Sequence, residues 1–100
     1  MNHNLNLVEN RYSEEELECN IGFFDKIDWV WISFTQNLSE LFIEKHSEKV
    51  NWEMIFLFQK ISEIFIRKHI NKINNLDYLM ENTNISNEIK ESIKTLKEII

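Results

Sequence analysis

Three histidines and one cysteine are the side chains of this 100-residue chain best suited to soft-metal or nucleophile chemistry: His3, His46, His69 and Cys19. None falls in a close ligand pair of the His-x-x-x-His or Cys-x-x-Cys kind, so the spacing offers no zinc-like site and no metal is expected. His46 and His69 stand near the ends of equivalent predicted helices, where a cationic ring complements the dipole and the last carbonyls. A single cysteine excludes an internal disulfide and fits a reducing compartment. Serines are present, but none sits in a Gly-x-Ser-x-Gly turn, and Gly22 is the lone glycine. Phosphate cradles need a glycine-rich backbone, which is missing. Glu40 and Glu44 lie on a predicted solvent face, a poor setting for acid–base work. No catalysis and no cofactor are expected.

Chemistry of recognition is better represented. Residues 1–28 carry seven acids against Arg11 and Lys26, within a whole-chain net charge of -6. Residues 29–73 sum to +1 and residues 74–100 to -2. That balance excludes a phosphate-gripping surface, since nucleic-acid binders concentrate Lys and Arg, and Arg67, Lys68, His69 and Lys72 read as helix-end solvation. Glu14, Glu15, Glu16 and Glu18 would oppose a basic partner, or else form a solvated helix start. Phe23, Phe24 and Trp31 are the candidate aromatic anchors beside them. Completion of the core is the alternative for these rings.

The elements that must position these groups are repeated. Trp29, Ile32, Gln36, Ser39, Glu40, Phe42, Ile43, Lys45, His46 and Lys49 recur 23 residues later as Trp52, Ile55, Gln59, Ser62, Glu63, Phe65, Ile66, Lys68, His69 and Lys72. Fixed-period similarity marks supersecondary units that bury an apolar face against one another. The absence of proline favours uninterrupted helices. Ser33, Asn37, Glu40 and Glu44 are spaced as one solvent face of a continuous helix. Trp31, Phe34, Leu38, Leu41 and Phe42 oppose them, with Met54, Leu57, Ile61, Ile64 and Phe65 in the second copy. Each repeat is therefore expected to be one long helix, started by Asp28 or Asn51. A break capped by Ser39 and Ser62 is the alternative. Trp29 and Trp52 recur in register and read as packing wedges.

Outside the repeats, Ser13 and Glu16 form a capping box, with Tyr12 and Leu17 as its staple and Gly22 as the stop of a helix over 14–21. Residues 1–12, where Leu5 and Leu7 alternate with Asn, read as a short strand or an arm on the core. Ile85, Ile89, Ile93, Leu96 and Ile100 draw an apolar stripe on a final helix that caps the stack or pairs with a second copy. The expectation is an all-α domain: an acidic region 1–27 with a short helix, two repeats over 28–73 and capping helices over 74–100. Four to five helices are expected in total, two of them equivalent and long. No basic-then-apolar leader and no bilayer-length apolar run occurs, so a soluble cytoplasmic protein is expected.

The string Trp29-x-x-Ile32-Ser33-x-x-Gln36-x-Leu38-Ser39-Glu40-x-Phe42-Ile43, ending in Lys49-Val50-Asn51-Trp52, resembles a short repeat of giant viruses and bacteriophages. The resemblance covers residues 25–73, and the second copy departs from it at Phe56 and Ile61. It implies a viral or mobile-element origin rather than an activity. Small acidic phage proteins without catalytic motifs are often inhibitors of host machinery, anti-CRISPR proteins among them. By that analogy the expected function is non-catalytic protein binding. The partner would be a host nucleoprotein complex whose basic channel is occluded by the acids, in the host cytoplasm. A monomer is favoured. The alternative is a structural repeat module that self-associates through its C-terminal helix.

Overall fold

The computed structural model describes residues 3–99, and these are all-α. In chain order the helices are α1 (Glu14–Cys19), α2 (Lys26–Thr35), α3 (Glu40–Lys45), α4 (Trp52–Phe58), α5 (Glu63–His69), α6 (Asp77–Met80) and α7 (Asn87–Ile99). Single 3-10 turns span Ile21–Phe23 and Ile70–Lys72. The chain divides into two compact units at Asn51/Trp52. The division separates the two repeat copies, so each unit is built around one of them.

Neither repeat is a continuous helix. Each is a pair of short helices, α2–α3 and α4–α5, broken at Gln36–Ser39 and Gln59–Ser62. The expectation of two equivalent long helices is thereby corrected, and the helix count rises to seven among the described residues. Gln36 and Ser39 take extended backbone, at φ -89°, ψ 149° and φ -74°, ψ 157°. Ser39 and Ser62 then cap the second helix of each pair, their Oγ atoms accepting the N–H of Phe42 at 3.1 Å and of Phe65 at 3.2 Å.

Burial departs from the continuous pattern on both sides of the break. Ser33, placed on the solvent side by the continuous pattern, is fully buried, as is its counterpart Phe56. Leu41 and Ile64, placed inside, are each 81% exposed. Leu38 and Ile61, in the extended linkers, turn inward and are buried.

Within the first unit, Trp29 on α2 meets Phe42 on α3 at 6.4 Å and His46 at 5.4 Å. The second unit repeats this trio: Trp52 lies 6.1 Å from Phe65 and 4.5 Å from His69. Each Trp therefore closes the angle between the two short helices of its own copy. Each His combines a helix-end position with ring packing.

One helix start and one helix end differ from expectation. Helix α2 begins a turn early, because Asp25 and Asp28 form a reciprocal capping box: the Asp25 side chain takes the Asp28 N–H at 2.8 Å, and Asp28 takes the Asp25 N–H at 3.0 Å. Asp28 is thus the third helical residue rather than the cap. Helix α1 has the expected Ser13–Glu16 box, but it ends at Cys19 with Asn20 as its cap. Gly22 lies within the following 3-10 turn without a positive φ, so it is not the stop.

In the second unit α6 packs on α4. Helix α7 starts after Ser86, whose Oγ accepts the Ile89 N–H at 3.3 Å. Ile85 and Ile93 of its stripe are buried, whereas Ile100 lies outside the described residues. No helix among the described residues is long and apolar enough to cross a membrane.

Candidate functional site

The acidic residues of α1 are mostly committed to local structure. Glu14 and Glu18, one helical turn apart, face the two ends of α3. The Glu14 carboxylate accepts the Ser39 hydroxyl at 2.9 Å and the Ser39 N–H at 2.5 Å. At the other end, the Glu18 carboxylate accepts Lys45 Nζ at 3.1 Å and meets His46 Nε2 in a short hydrogen bond. Glu16 closes the capping box with Ser13. Glu15, exposed, is the one of the four with no hydrogen bond or ion pair among the described residues. Leu17, on the same helix, is completely buried.

His46 lowers the Glu18 carboxyl below its ordinary value by hydrogen bonding to its charged form. Burial opposes this, and Lys45 reinforces it. Asp28 is pushed up by burial, but the Asp25 N–H and the His3 ring, 3.1 Å away, outweigh that and hold it low. A carboxyl depressed in the folded state stabilises the fold above its unfolded pKa and loses that contribution as pH falls through the folded one. Stability should therefore be flat on this account above about pH 4.5, the ordinary value for Glu18, and decline below it. Urea midpoints of Glu18→Gln measured from neutral to acid pH should show a shallower acid limb than wild type. An unchanged limb would rule that carboxyl out as a contributor.

The three aromatic candidates separate. Phe24 is half-buried, edge-on to His3 at 5.0 Å and to Trp29 at 5.8 Å. It lines a cleft of about 340 Å³ with Trp29, Val30 and Val50, rimmed by Lys26, Glu48 and Lys49. Phe23 is 43% exposed in the 3-10 turn. Trp31, half-buried on α2, stacks with Phe34 at 5.8 Å and an interplanar angle of 12°.

The α2 neighbours of Trp31 were not legible as a surface from sequence. Ile27 and Phe34 flank Trp31 at spacings of four and three, one face of a helix. Ile27 is 68% exposed and Phe34 41%. The continuous-helix pattern had put Phe34 on the interior side, which hid the stripe. Its signal was available in the i, i+4, i+7 spacing of Ile27, Trp31 and Phe34.

Among the described residues, no three His, Cys, Asp or Glu side chains are grouped to hold a metal ion. Cys19 is exposed and unpaired by disulfide. The first unit offers an apolar face on α2 and, earlier in the chain, a structured acidic segment. No family model, curated protein or solved structure matches this chain.

Proposed function

We propose that the chain is a non-catalytic protein-binding module whose contact surface is the Ile27–Trp31–Phe34 face of α2. The observation that carries this reading is a partly exposed apolar stripe on a ten-residue helix that includes a stacked Trp–Phe pair. Stacked aromatics on a rigid element are the kind of group that supplies most of an interface's affinity. Exposed apolar stripes of this sort mark contact surfaces more often than they mark defects.

The finer reading is an inhibitor carried by a phage or mobile element. In it, the acidic N-terminal third directs the α2 face to a nucleic-acid-binding complex, anti-CRISPR proteins being the analogy. It is supported by the excess of five negative charges in residues 1–28 and by the viral repeat that residues 25–73 resemble. Since Glu14, Glu16 and Glu18 also hold α1 in place, the acids act as a field that speeds encounter, and the aromatics hold the complex.

The test is capture from host lysate with tagged wild type and with a Trp31→Ala/Phe34→Ala variant, bound proteins being identified by mass spectrometry. A nucleoprotein complex held by wild type and lost from the still-helical variant is the expected outcome. Association with it should slow as salt rises. Equal capture by both baits would remove the α2 face from the reading. Self-association through the α7 stripe is less favoured, because Ile93 at its centre is already fully buried.

A further inference from the structure

Residues 6–12 sit on the break of the first repeat as a ligand sits in a site. The segment is organised from within: Asn6 Oδ1 accepts the N–H groups of Val8 and Glu9 at 3.2 Å each. The Tyr12 hydroxyl accepts the Asn6 N–H at 2.7 Å and Asn10 Nδ2 at 3.3 Å. Such an Asx turn keeps its shape through its own groups. It buries one apolar side chain, Leu7, at 4% exposure, while Val8 points out at 51%.

The receiving groups belong to the end of α2. Gln36 Oε1 accepts the Tyr12 N–H at 2.8 Å, and Gln36 Nε2 donates to the Asn10 carbonyl at 2.9 Å and the Leu7 carbonyl at 3.3 Å. Thr35 Oγ1 accepts Gln36 Nε2 at 2.8 Å and shares its single proton between the Leu7 carbonyl at 2.5 Å and the Trp31 carbonyl at 2.8 Å. Two side chains thus read three main-chain groups, and a single leucine supplies the side-chain contact. Main-chain reading of this kind accepts any turn with the same hydrogen-bonding outline, and the apolar side chain confers the selectivity. Beyond the turn, His3 adds one anchor through Asp28.

The geometry points to the Thr35–Gln36 notch as a docking site for a leucine-bearing Asx turn, filled here by the chain's own residues 6–12 and available to a partner's turn of the same chemistry when that segment lifts. The occupant's chemistry is read from the segment seated there: Asn at the first position, Leu next, and two free carbonyls facing the notch. This site is separate from the Ile27–Trp31–Phe34 face and does not depend on the function proposed for it.

The experiment uses the full chain and a fluorescein-labelled synthetic peptide of residues 3–12. Leu7→Ala weakens the resident turn without altering the notch, so the variant should bind the peptide about tenfold more tightly than wild type does. Adding Thr35→Val removes one donor and should weaken binding about fivefold. The peptide carrying alanine for leucine at position 7 should not bind.

A Leu7→Ala chain that keeps its helical circular dichroism yet binds no peptide would overturn the proposal. So would binding insensitive to Thr35→Val. Should Leu7→Ala unfold, hydrogen exchange on wild type decides. The Tyr12 amide should exchange about tenfold faster than the Leu17 and Gln36 amides, through local lifting of the turn. Equal protection at the three amides would mean that the turn leaves only on global unfolding, and the notch would not be a site.

Discussion

Gln36→Ala should lower the unfolding free energy by about 3 kcal/mol, read from urea midpoints at unchanged slope. Gln36 is 1% exposed. Its amide is the acceptor for the Tyr12 N–H and a donor to the Asn10 and Leu7 carbonyls. Truncation leaves the Tyr12 N–H and the Asn10 carbonyl unmatched at a site that is only partly open to water. Each such group costs about 1–3 kcal/mol, far more than the net worth of the bond it lost. For a domain whose whole stability is about 5–15 kcal/mol, that is a large share. Asn37→Ala, one residue on and exposed, should stay within about 0.5 kcal/mol of wild type. A Gln36→Ala protein as stable as Asn37→Ala would show that the break holds without its amide.

Phe56→Ser should cost about 4 kcal/mol, the largest effect expected of any exchange between the two copies. Phe56 is fully buried and meets Trp52 at 6.0 Å. Serine removes the ring, leaves a cavity and introduces a hydroxyl. The reciprocal change, Ser33→Phe, should also destabilise, for a different reason. Ser33 is fully buried with its Oγ donating to the Trp29 carbonyl at 2.7 Å and accepting the Asn51 N–H at 2.9 Å. Phenylalanine would overpack that space and strand the Asn51 amide. Thermal melts of the two variants would check both directions. A Ser33→Phe chain melting at or above wild type would show that the first copy has room for a ring, contrary to its packing.

What the sequence made legible was local. The Ser13–Glu16 box, the final helix drawn by the stripe from Ile85 and the register of Trp29 with Trp52 all depend on residues a few positions apart or on the repeat itself. The all-α class follows from the same signals. The break inside each repeat was legible only as the alternative reading, through the capping serines Ser39 and Ser62, because the groups that hold it open lie elsewhere in the chain. Gln36 is held by residues 7–12. In the second copy, Asn82 Nδ2 donates at 2.8 Å to the carbonyls of both Phe56 and Gln59, and Asn84 donates to Phe58 at 2.9 Å. No periodicity within a 23-residue window carries that information.

A continuous helix carries its phase unbroken through each linker, and only that phase sets Leu41 and Ile64 inside. The candidate site suffered from a related blindness. The charge of Glu14, Glu16 and Glu18 was evident, but their engagement with Ser39, Ser13, Lys45 and His46 depends on how α1 lies on α3. Trp31 was legible because its counterpart, Met54, breaks the repeat. Phe34 shares a face with Trp31 in either reading, and Ile27 joins it because α2 starts at Lys26 rather than after Asp28.

The partners that satisfy the two breaks bear on how such a protein can lengthen. Duplication copies a stretch of chain, but not the foreign segment that completes it. The first break is met by a turn upstream of the repeats, which pairs with the Gln36 side chain, and the second by the Asn82–Asn84 turn downstream of them, which pairs with main-chain carbonyls. A third copy inserted after Ile73 would bring another glutamine and another set of open carbonyls, with no further segment to meet them. Unmatched main-chain groups of that kind are rarely tolerated in a folded interior. Adding a copy to such a chain therefore requires adding a turn to complete it, however faithfully the repeat itself is copied.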